Sequence, residues 1–127
     1  MDPAEDLLRR LALNDEKALS WVFSRQLGGD GETSLVPKVE LLVQLAAFLA
    51  VGAATPLLRE TVSQASAEGA TEDEIVGVLV AVGPAIGLAS LVASAPRLAV
   101  ALGYDLENGY SLNPGESRDA RGPGPGR

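Results

Sequence analysis

Two long stretches of this chain carry no charge. Residues 41–58 and 75–96 contain no Asp, Glu, Lys or Arg, and each approaches the ~20 residues that a membrane-crossing helix requires. Any fold of this chain must hide both. The segment between them, 59–74, is acidic and most Lys and Arg lie outside, as the positive-inside rule would want for a two-span hairpin. Composition opposes that reading. The runs are built largely from Ala, Gly and Val, with Gly52, Thr55 and Pro56 interrupting the first and Gly83 and Pro84 the second. Such residues suit helices packed closely on one another in a protein interior or an oligomer, which is the preferred reading, with a two-span membrane protein as the lesser alternative.

The flanking residues punctuate helices. Asp2-Pro3 starts a short helix over about 3–13, and Asn14-Asp15 starts a second carrying Ala18, Leu19, Val22, Phe23 and Leu27. Gly28-Gly29-Asp30-Gly31 ends it. From Pro37 the apolar pattern spreads round the whole helix circumference, which predicts burial on all sides, and Gly52 closes that helix. Thr55-Pro56 reads as the cap and first residue of an amphipathic helix ending at Gly69. Thr71-Glu72-Asp73-Glu74 is a capping box that opens the next, and a kink or break is expected at Gly83-Pro84. Pro96 is expected to open a final helix ending near Gly103. No run alternates as a strand does; Val76–Val80, the best strand candidate, stands directly behind the capping box. The chain is read as all-α, with short helices and a Gly-rich connection over 1–34, a helical domain over 35–107, and a disordered Pro/Gly-rich tail over 108–127.

Residues 35–107 resemble the carboxymuconolactone decarboxylase family of the alkyl hydroperoxidase D-like superfamily. The resemblance rests on Leu35-Val36-Pro37-Lys38 opening a long apolar helix, on Gly69-Ala70-Thr71-Glu72-Asp73-Glu74-Ile75, on Gly83-Pro84-Ala85-Ile86-Gly87, and on Ala95-Pro96-Arg97 leading to Gly103-Tyr104-Asp105. It implies an alkyl hydroperoxidase D-like helical bundle assembled into a homo-oligomer, a trimer or hexamer. The apolar surface of 37–51 and 75–93, more than a small monomer covers comfortably, argues for assembly independently. Redox-active relatives place Cys-x-x-Cys and a His where this sequence has Ala54, Leu57 and Thr61, and a glutamate near Leu42, the nearest acid here being Glu40.

The chain contains neither Cys nor His. Thiol peroxidase chemistry, disulfides, thiolate or imidazole metal sites and Ser/His or Cys/His nucleophiles are thereby excluded. No metal and no cofactor is expected. Glu72, Asp73 and Glu74 point about 100° apart on successive helix positions, so they read as capping residues. Seventeen acidic against ten basic residues give a net charge of −7, which repels nucleic acid. The acidic start, Met1-Asp2-Pro3-Ala4-Glu5-Asp6, lacks the features of a secretory signal, so a cytoplasmic location is expected.

Whether the chain is an enzyme is open at this stage. Thr55, Arg59, Glu60 and Thr61 are the ligand-binding candidates, with Arg59 to hold a carboxylate and Glu60 to move a proton if burial raises its pKa. The expected ligand is a small organic acid or lactone in an apolar pocket near 54–61 and 80–87. Against this stands a solvated Arg59–Glu60 pair. The alternative function is a non-catalytic oligomeric scaffold or interaction module. Arg97, unfavourably placed at the start of its expected helix, is a further candidate for an anion or an inter-subunit carboxylate.

Overall fold

The computed structural model describes residues 2–25 and 34–106. The expected tail over 108–127 and the glycine run at 28–31 lie outside these residues. Among them are six helices and no strand: α1 (Pro3–Ala12), α2 (Glu16–Ser24), α3 (Pro37–Val51), α4 (Thr55–Ala67), α5 (Glu72–Ile86) and α6 (Leu88–Ala101). Val76–Val80 is helical, as expected from the cap before it. No helix among the described residues is long and apolar enough to cross a membrane.

Helices α3, α4, α6 and α5 form a ring in which each packs on the next, and α3 also touches α6 across it. Leu41, Leu45 and Leu49 of α3 recur at four-residue spacing and point into this ring, where they meet Leu58, Val62 and Ala65 of α4, Ile75 and Leu79 of α5, and Leu98 and Ala101 of α6. Leu45, Ala65 and Ile75 are wholly buried. Helices α1 and α2 pack on each other and, among the described residues, make no comparably extensive contact with the ring. No residue of α1 is buried.

The punctuation differs from expectation at Asp2, Thr55 and Pro96, and of the kink or break expected at Gly83-Pro84 there is no break. Asp2 and Thr55 make no side-chain cap; Thr55 is the first residue of α4, behind an Ala54 cap. Neither Pro84 nor Pro96 breaks or opens a helix; Pro84 lies inside α5 and Pro96 inside α6. A proline leaves the carbonyl four residues back without its donor. Those carbonyls belong to Val80 and Val92, both exposed residues, and each helix continues through its proline. The chain turns instead at Gly87, whose φ of 91° is open to glycine at no steric cost. Other signals hold. Asp15 accepts from the Ala18 amide at 3.0 Å, and Gly52 ends α3 in the left-handed conformation at φ 74°.

Trp21 and Phe23 do not enter the core. Phe23 is 82% exposed and Trp21 41%. Among the described residues, the helix that carries them packs mainly on α1.

Candidate functional site

The four residues expected to hold a ligand do not converge. Thr55 is partly buried, Arg59 and Glu60 are exposed, and Thr61 is buried. The Thr61 hydroxyl donates to the carbonyl of Leu57, one turn back in α4, at 2.9 Å. That bond commits the hydroxyl proton within α4. The 54–61 segment thus supplies an exposed charge pair on one side and a self-satisfied hydroxyl on the other.

Arg97 acts on the same corner from α6. Its guanidinium donates to the carbonyls of Gly52 at 2.8 Å and Ala53 at 3.3 Å. These oxygens stand at the C-terminal end of α3, where helix carbonyls lack intrahelical partners and carry partial negative charge, so a cation there is favourable. Arg97 pins the α3–α4 turn to α6. Ser94, one turn earlier, donates from its buried hydroxyl to the Leu49 carbonyl at 2.9 Å. The sequence offered no sign of this: the helix that presents Arg97 begins eight residues before Pro96, and its target lies 45 positions away.

The buried charges lie at the other end of α3. Arg25, just past α2, and Glu40, in the first turn of α3, pair at 2.6 Å with side chains only 13% and 6% exposed. The Arg25 guanidinium also stands over the Trp21 ring at 5.7 Å from its centroid. Among the described residues the second oxygen of Glu40, Oε1, accepts no hydrogen bond. The one acidic residue of a largely apolar helix was the available sign of Glu40's position; Arg25 carried none.

At the start of α5 the capping box forms as expected. The Thr71 amide donates to Glu74 Oε1 at 2.9 Å and the Glu74 amide to Thr71 Oγ1 at 3.1 Å. Lys38 of α3 donates to the other carboxylate oxygen at 3.1 Å. The Thr71 amide, and then Lys38, hold the Glu74 carboxyl below its ordinary range. Tyr104 donates to Glu72 at 2.9 Å, and that bond raises the phenol's pKa. Glu72 and Glu74 therefore face different partners, and no group of three acidic residues among the described ones could hold a metal ion.

Because the folded Glu74 pKa is lowered, its stabilisation is present above the ordinary carboxylate range and fades as pH falls through the folded value. Glu74→Gln is therefore expected to be less stable than the parent at pH 7, with the difference shrinking in acid. Urea unfolding at several pH values checks this; a constant difference would show that the carboxylate charge is not what stabilises the cap.

Away from these residues, α3 and α5 enclose an open apolar groove of about 360 Å³. Val39, Leu42, Val43 and Ala46 line it from α3, and Val78, Ala81 and Val82 from α5. All seven are uncharged and apolar. The expectation that α3 is buried on every side fails here, since Val43 remains 53% exposed. The same holds for the end of the second apolar run, where Leu88 is 76% exposed. No family model matches the chain, and neither the curated proteins nor the solved structures include a match to it.

Proposed function

We propose that this chain is a non-catalytic assembly module, in which the α3/α5 face packs against the same face of a second copy. One observation carries the reading: the two charge-free segments, after folding, still present an apolar groove flanked by exposed valines. Small proteins seldom leave such a face to water unless another surface covers it. A second copy fits because the lining is uniformly aliphatic. A charged or strongly polar partner would lose hydration there without gaining a hydrogen bond. Within α3 the groove residues recur at spacings of three and four, as a helix-on-helix contact needs, and a two-fold axis along the groove sets the α3 of each copy on the α5 of the other.

The resemblance to the carboxymuconolactone decarboxylase family is consistent with a helical scaffold of this kind, and of the trimer or hexamer that it implies, only the hexamer can contain a two-fold contact. The chemistry of the redox relatives has no counterpart at Ala54, Leu57 and Thr61. An organic acid held by Arg59 and Glu60 finds no support in the positions of those two side chains, both of which stand in water.

Light scattering behind size exclusion tests the proposal. The parent is expected at a multiple of the 13.1 kDa chain mass, and Val43→Asp at the single-chain mass with helical circular dichroism retained. A parent that stays monomeric at about 100 μM, weaker than specific self-association generally needs, would refute it. So would an assembly that Val43→Asp leaves intact.

A further inference from the structure

Outside the ring, α1 and α2 enclose a second cavity of about 370 Å³. It is lined by Leu7 and Arg10 from α1 and by Lys17, Ala18 and Trp21 from α2. The volume is at the lower end of the ~300–1,000 Å³ usual for small-molecule sites. Helix geometry explains the lining. Leu7 and Arg10 stand one turn apart on α1, as do Lys17 and Trp21 on α2, so each helix contributes an apolar body and a cation to the same cleft.

The two cations differ. Arg10 is shared with Asp6 at 3.1 Å, a half-exposed pair within α1. Lys17 has no carboxylate at ion-pair distance among the described residues. The chain as a whole is acidic, yet residues 2–25 hold four basic side chains against five acidic ones. The hairpin is thus nearly neutral, and its cleft joins an uncommitted ammonium to an exposed indole face.

We propose that this cleft binds an anionic headgroup carried on an apolar body, of the class of a medium-chain alkyl carboxylate. The carboxylate meets Lys17, with Arg10 beside it once Asp6 yields part of its hold, and the chain lies along Leu7, Ala18 and Trp21. Each part of the ligand follows from a part of the lining. The apolar body gains by leaving water at ~25 cal/mol per Å². The charge is selected because a neutral analogue forgoes the ion pair and a cationic one is repelled. A small hydrophilic acid would leave the apolar wall uncovered. The proposal is independent of self-assembly, because none of these residues lies on α3 or α5.

Trp21 is the only tryptophan of the chain, so its emission reports on the cleft and on the Arg25 guanidinium beside it. Titration of the full chain with decanoate is expected to give a saturable blue shift, with 1-decanol binding at least about tenfold more weakly. Lys17→Glu is expected to lose about tenfold or more in decanoate affinity while Lys17→Arg stays near the parent, both with unchanged circular dichroism. Val43→Asp, which alters only the α3/α5 groove, should titrate as the parent does. Unchanged emission up to about 1 mM decanoate, the weakest affinity worth calling a site, overturns the proposal. Equal binding of decanol, an unaffected Lys17→Glu, or loss of the signal in Val43→Asp does so as well.

Discussion

Glu40→Leu is expected to destabilise the fold by about 3 kcal/mol, because it breaks a buried ion pair. Arg25 and Glu40 are both largely withdrawn from water and meet at 2.6 Å, so removing the carboxylate takes from a desolvated guanidinium the charge that Glu40 sets against it. The double variant Arg25→Met/Glu40→Leu is expected to recover most of the loss, since an apolar pair of similar volume needs no compensation. Trp21 lies over the Arg25 guanidinium, so its fluorescence should follow the same transition in urea. If the single variant falls within about 1 kcal/mol of the parent, the pair is a surface-like contact despite its burial. If the double variant is as unstable as the single, the pair does more than cancel its own charges. This ion pair also ties the α1–α2 hairpin, with its cleft, to the first turn of α3. A specific loss of Trp21 order ahead of global unfolding in Glu40→Leu would show that the hairpin is held largely by it.

The second large effect belongs to the centre of the ring. Leu45→Ala is expected to cost about 3 kcal/mol, within the ~2–5 found when a buried leucine is cut back and the cavity only partly collapses. Leu45 is wholly buried among Leu41, Leu49 and residues of three other helices. Val51→Ala, on the same helix but 77% exposed, should change stability by no more than about 0.5 kcal/mol. Unfolding measured below the concentration of self-association separates these costs from those of the interface. Similar losses for both would mean that the buried face of α3 is not the one formed by Leu41, Leu45 and Leu49.

Much of the helix pattern was legible before the coordinates because its causes are local. The Asp15 cap, the Thr71–Glu74 box and the glycine at the end of α3 each act within a few residues. A motif closed over such short range reads directly from order along the chain. Pro96 opens no helix and Pro84 breaks none, for a related reason. Pro84 and Pro96 do weaken a helix locally, but the cost is offset where the freed carbonyl faces solvent, and facing is a property of the fold.

The candidate site was legible only in part. Arg59 and Glu60 occupy the start of α4, as their sequence position requires, but whether they point inward depended on which side of α4 meets α3 and α6. Leu58, Val62 and Ala65 took that side, which left the charges in water. Arg97, though exposed, is tied to the α3–α4 turn, and Arg25 is withdrawn from water. Each found its partner many positions distant, at the end of α3 and in its first turn, and nothing in their immediate neighbours signals it.

Composition and order along the chain by themselves determined that it is helical, that it cannot perform thiol or imidazole chemistry, and that it holds two uncharged segments needing cover. Those conclusions rest on side-chain inventory and on interactions within one helical turn. The tertiary structure alone decided which faces of α3 and α5 are covered, that Glu40 is neutralised by Arg25, and that Lys17 and Trp21 share a cleft. Packing four helices around one core can enclose only one stripe of each, and the choice of stripe is made jointly by all of them.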